Sequence, residues 1–158
     1  MSYRITGLPA EPFVSLYGLS DAALAARGVT RVIADQKPGF PDRIELCDAE
    51  PGRSLLLLNY THQPAGNAYH ASHAIFVREG AETSYDRVDE IPLVMRERTM
   101  SLRAFNAEDL MIEAELGAGQ DLESVIQRLL ADADVAYIQA HYAKPGCYAA
   151  RITRAEGS

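Results

Sequence analysis

The sequence predicts an α+β fold: a single domain built on a curved, mainly antiparallel sheet, with two or three short helices packed on one side. Three observations carry that expectation. Apolar segments are short and separated by turn formers, which suits strands better than long helices. Two pairs of segments, 100–105 with 110–116 and 135–142 with 147–153, are joined by connections of hairpin length. One stretch alone has sustained helical periodicity, where Leu122, Val125, Ile126, Leu129 and Leu130 fall at i, i+3, i+4, i+7 and i+8.

Taken in order, residues 3–8 form a first strand. Ser20 is placed to cap a short Ala/Leu helix over 21–27, and Gly28 suits its C′ position. The β-branched segment 29–34 reads as a strand. After a turn-rich passage, 43–47 reads as a further short strand. Glu50-Pro51-Gly52 then supplies the Pro and Gly that a type II turn demands. Leu55 to Tyr60 is a buried strand, and 61–72 is its exit loop, with Pro64 and Gly66. His73 to Glu79 follows as the next strand. Pro92 is placed at N1 of a short helix running to Arg98. In the strand 110–116, Leu110, Ile112, Ala114 and Leu116 share one face and Met111, Glu113 and Glu115 share the other, so this sheet has a wet side. Asp121 caps the helix that carries the apolar stripe, and the final hairpin turns across 143–146.

The chain has 158 residues, 47% of them apolar and 23% charged, which is ordinary for a globular domain able to hold a core. Its two cysteines do not make a disulfide framework. Net charge is −7, with residues 1–79 contributing −1 (seven Lys/Arg, eight Asp/Glu) and 80–158 contributing −6 (eight against fourteen). No basic stripe exists to neutralise phosphates, so nucleic acid is not an expected partner, and anionic membrane surfaces are disfavoured for the same reason. The N-terminal residues lack the apolar core of a secretory signal, so the expected location is cytoplasmic.

Three of the four histidines, His62, His70 and His73, fall within twelve residues. Imidazole transfers protons near neutral pH and is the commonest metal ligand, which makes this trio the metal candidate. No His-Glu-x-x-His or paired-cysteine motif accompanies it. If His73 opens a strand, His70 and His73 diverge; they share an ion only on a helical turn. A second candidate is His141 with Cys147 as a nucleophilic pair. A four-residue loop sets His141 opposite Tyr148, with Cys147 on the other face, so the pair meets only if a bulge intervenes. His141 shares its face with Tyr137, Gln139 and Tyr148, which reads as a pocket lining. Arg78 and Arg103 interrupt apolar strands, and such a residue either faces solvent or meets an anion.

Several strings together, Tyr3-Arg4-Ile5-Thr6-Gly7-Leu8, Asp48-Ala49-Glu50-Pro51-Gly52, Leu55-Leu56-Leu57-Leu58 with Tyr60, Ile75-Phe76-Val77-Arg78-Glu79 and Gly146-Cys147-Tyr148, resemble the bacterial domain of unknown function 1203 family over nearly the whole chain. Relatives often carry Pro-Cys-Arg where Pro41-Asp42-Arg43 stands here, and some carry Gly-Pro in place of His73-Ala74. The family has no assigned activity, so the resemblance implies a single-domain bacterial protein and no catalytic residue. Three functions follow as expectations. The first is a module binding a small anionic ligand through Tyr60, His62, Arg78, Arg103, His141 and Tyr148. The second is an enzyme that is metal-assisted through His62, His70 and His73 or that uses His141 with Cys147. The third is a homodimeric interaction protein without a small-molecule site. No cofactor is named by any motif. The discriminating question is whether His141 meets the other histidines.

Overall fold

The computed structural model describes residues 1–155. Its elements are β1 (Tyr3–Thr6), α1 (Glu11–Val14), α2 (Asp21–Ala25), β2 (Thr30–Ile33), β3 (Ser54–Gln63), β4 (Ala71–Arg78), β5 (Asp86–Val88), α3 (Leu93–Arg96), β6 (Thr99–Phe105), β7 (Met111–Ala118), a 3-10 turn (Gly119–Asp121), α4 (Leu122–Leu130), β8 (Tyr137–Tyr142) and β9 (Tyr148–Arg154). The class is α+β and the strand pairing is antiparallel. There are two sheets, however, rather than one: a six-stranded sheet in the order β5-β1-β9-β8-β6-β7 and a three-stranded sheet β2-β3-β4.

The large sheet buries one face under α3 and α4. Alternation in β6 sends Met100, Leu102 and Ala104 to that side, where they meet Val94, Met95 and the full stripe Leu122, Val125, Ile126, Leu129 and Leu130. A second core is built on the small sheet. Leu56, Leu58, Ile75 and Val77 pack there with Phe13 of α1, Leu24 of α2 and Tyr148 of the large sheet. The helices therefore serve two cores, and the expected one-sided layer is not formed. All six residues of β8 are buried. Its Ile138, Ala140 and Tyr142 belong to the helical core, while Tyr137, Gln139 and His141 face the side where the small sheet ends.

Local departures from the sequence expectations have identifiable causes. Residues 43–47 make a turn, because the Asp42 carboxylate accepts the Glu45 N–H at 2.6 Å and Leu46 takes a positive φ of 52°. Strand β3 does not stop at Tyr60. Its inward alternation continues through His62, paired with β4 across a bulge between Thr61 and Gln63; Pro64, without an N–H, follows its last residue. In β7 the expected faces are reversed. Gly117 lies against α4, where a Cβ would stand 3.1 Å from Leu122 Cδ1; Glu115, on the same face, accepts from Arg128 of the helix, and Leu116 on the other face is 65% exposed. At the helix starts, Ser20 accepts the Ala23 N–H as expected. Asp121 makes no side-chain cap, and Pro92 is the N-cap residue of α3 rather than N1. No helix among the described residues is long and apolar enough to cross a membrane.

Candidate metal centre

Three imidazoles meet where the end of the small sheet crosses β8. His62 comes from the extension of β3, His73 from β4 and His141 from β8. One ring nitrogen from each lies within 4.8 Å of those of the other two. Register explains the placement. His73 pairs opposite Tyr60 in the small sheet, two residues from His62, so that the inward faces of β3 and β4 carry both rings to the same side. On the large sheet His141 pairs with Tyr148, and the Tyr148 ring stacks on His62 with centroids 5.0 Å apart at 10°. That stack docks the two sheets at the site.

The hydrogen bonds fix the proton inventory. His62 Nδ1 lies 2.7 Å from Gln139 Oε1, while Gln139 Nε2 donates to the His62 carbonyl at 3.1 Å. With the amide so oriented, His62 must donate from Nδ1, which leaves Nε2 with its lone pair. His141 Nδ1 lies 3.1 Å from the Gly146 carbonyl, an acceptor only, so this ring also carries its proton on Nδ1. Its Nε2 is buried and has no partner. The third ring then follows: His73 Nδ1 lies 2.6 Å from His62 Nε2 and donates to it. Two lone pairs are thus aimed inward by hydrogen bonds to oxygens behind them, the arrangement that orients metal-binding histidines.

Burial keeps the set neutral. Desolvation pushes His62 down to about 4 and His141 to about 3, and it lowers His73 as well. Neighbouring positive charge adds to this, since the Arg103 guanidinium disfavours protonation of all three rings. Neutral imidazole is the ligand form, so near neutral pH no proton has to leave His62 or His141 for them to bind an ion. His73 needs only to shift its proton from Nδ1 to Nε2. A tetrahedral ion with bonds near 2.0–2.1 Å sets its nitrogens roughly 3.3 Å apart. The His62–His73 contact must therefore open by roughly 0.7 Å, a movement available to the partly exposed His73.

The remaining sequence candidates divide. Arg103 pairs opposite Gln139 across β6 and β8, beside the trio. Tyr148 forms a wall of the site, and its phenol is raised by burial. Tyr60 stands directly opposite His73 and packs on Phe13, ring centroids 5.7 Å apart. His70 does not join: its Nδ1 bonds the Ala65 carbonyl at 3.1 Å in the loop before β4. Arg78 stands at the far end of β4, paired with Leu55, and its Nε donates to Glu45 at 2.8 Å. Arg78 and Arg103 therefore do not meet in one cleft beside His141. The Cys147–His141 pair is not formed either. The observed bulge falls between Ala140 and His141 and leaves Ala149 unpaired, while the Cys147 thiol receives a hydrogen bond from Arg43 Nη2 at 2.9 Å.

Arg43 and Gln139 carry parts that sequence reasoning did not assign to them. Arg43 is 1% exposed and donates to the carbonyls of Tyr148 and Pro41, tying the loop before β3 to β9. It lines a cavity of about 500 Å³ with Phe76, Tyr142 and Cys147, separate from the histidines. No signal in the sequence marked it. Gln139 was marked only by sharing the His141 face.

A family model described as a protein of unknown function (DUF1203) matches residues 39–154, a span that contains all three converging histidines together with Gln139 and Arg103. No curated protein and no solved structure matches the chain.

Proposed function

We propose that this chain, which belongs to the DUF1203 family of proteins of unknown function, is a metal-binding protein whose centre is His62, His73 and His141. The observation that carries the reading is the orphaned Nε2 of His141. It is a buried acceptor with no partner, pointed at two other imidazole nitrogens by a hydrogen bond behind its own ring. A buried polar atom left unpaired costs about 1–3 kcal/mol, and an ion shared with the other rings removes that cost. Three neutral nitrogens with no thiolate and no carboxylate suit a divalent first-row ion, zinc above all. Three protein ligands leave a coordination position open, where such an ion polarises a bound ligand or brings the pKa of bound water to about 7. His62 and His73 are part-exposed, so solvent reaches the group from their side while His141 closes the back.

The test is a zinc titration of apo protein against a chromophoric chelator, in the wild type and in His141→Ala, with circular dichroism as the fold control. The wild type takes one equivalent and His141→Ala loses at least two orders of magnitude in affinity. A wild type that takes up no zinc, cobalt or nickel, or a folded His141→Ala that binds as well as wild type, overturns the proposal.

A further inference from the structure

Arg103 gives the centre a second property. Its guanidinium is partly buried, and among the described residues it forms no ion pair; its one hydrogen bond runs from Nε to Ser101 Oγ at 3.3 Å. Burial lowers its pKa, as expected of a cation without a counter-charge. Among the described residues no carboxylate hydrogen-bonds or ion-pairs with any of the three rings: their partners are the Gln139 amide, the Gly146 carbonyl and one another. A divalent ion bound here therefore adds its charge beside the Arg103 cation, with no carboxylate bonded to the rings or to Arg103 among the described residues. Buried charge of one sign is costly and is ordinarily compensated. Here the compensation has to arrive with the ligand.

We infer that the open position of the metal centre takes a small oxyanion, a carboxylate or a phosphate, with one oxygen toward the ion and another received by Arg103. This rests on the metal reading of the three histidines. The placement is favourable: Arg103 stands opposite Gln139, and Ser101, its neighbour on the same strand face, stands opposite His141. Arg103 thus stands on the strand next to β8 and on the face that carries His141. Its planar fork, with Nη1 and Nη2 uncommitted, matches the two-oxygen geometry of either anion. The neighbouring strand surface adds no carboxylate to compete. Ala114 and Leu116 of β7 stand opposite Arg103 and Ser101.

Like-charge repulsion gives the inference a signature that a merely structural arginine lacks. Without anion, Arg103 opposes the metal, so Arg103→Met binds cobalt(II) at least as tightly as wild type. With anion, Arg103 assists. The experiment titrates cobalt(II)-loaded protein with acetate, inorganic phosphate and neutral acetamide, following the visible d–d bands. In the wild type acetate or phosphate shifts the bands saturably, the stronger of the two naming the class, and acetamide does nothing. In Arg103→Met the anion dissociation constant rises at least about tenfold, and Arg103→Lys recovers part of the loss. Anion affinities equal in wild type and Arg103→Met, or no anion response in a protein that binds cobalt, overturn this inference and leave the metal centre standing. Failure to bind cobalt overturns both.

Discussion

Replacing Gln139 by leucine tests how the centre is held without removing any ligand. Gln139 is 2% exposed, and its Oε1 accepts the His62 Nδ1–H at 2.7 Å while its Nε2 returns a hydrogen bond to the His62 carbonyl. Leucine fills nearly the same volume and supplies neither bond. His62 is then free to rotate and to carry its proton on Nε2, the atom that faces the other rings. Loss of such an outer-shell partner costs about 10–100-fold in metal affinity, or about 1.4–2.8 kcal/mol. Gln139→Glu keeps an acceptor behind the ring and places a carboxylate opposite Arg103, so it holds zinc at least as tightly as wild type. The assay is chelator competition on apo proteins whose circular dichroism spectra superimpose. If Gln139→Leu binds within threefold of wild type, His62 is not held by Gln139 for metal binding and the tautomer argument fails.

Three further outcomes follow from the same geometry. In apo protein His62 and His141 bind protons less readily than in the unfolded chain, where histidine titrates near 6.5. Their contribution to stability is full above that pH and drains away as pH falls toward 4 and 3, by several kcal/mol in total; denaturant midpoints at pH 7 and 5 measure it, and equal midpoints contradict it. Glu79 accepts from Arg31, Gly18 and Ser54 and is held down at about 2. Its contribution, about 2–3 kcal/mol, is present above pH 4.5 and is lost as pH falls toward 2, so Glu79→Gln lowers the neutral-pH stability and flattens that acid limb. His70→Ala leaves zinc affinity within threefold of wild type, because His70 bonds a carbonyl of its own loop; a tenfold loss in the same chelator assay places it in the centre.

Periodicity made much of the architecture legible. The α4 stripe is buried throughout, and both predicted hairpins pair as β6–β7 and β8–β9. Period-two alternation also put Tyr137, Gln139 and His141 on one face and set Tyr148 opposite His141, so half of the site could be read before the fold. The other half depended on where β3 ends. A strand that stops at Tyr60 leaves His62 in a loop beside His70, whereas one more inward position, two residues on, carries it across to Gln139. Nothing local distinguishes these cases, because the extension is stabilised by pairing with β4 and by the stack on Tyr148, both distant in sequence. Sequence proximity therefore grouped His62 with His70, and the fold grouped it with His141. The separation of the small sheet is similarly non-local. The docking of the loop before it onto β9 runs through Arg43, whose guanidinium bridges to Tyr148 across more than a hundred residues. The faces of β7 are likewise set by its partner in the fold: Gly117 packs on α4, where a Cβ would press on the Leu122 side chain at 3.1 Å.

X-ray absorption at the zinc edge of the loaded protein reads the ligand set itself. The expected spectrum has three imidazole nitrogens at about 2.0–2.1 Å with a fourth light atom from solvent or an anion, and falls to two imidazoles in His141→Ala. A shell with a sulfur ligand near 2.3 Å, or one containing a single imidazole, contradicts it.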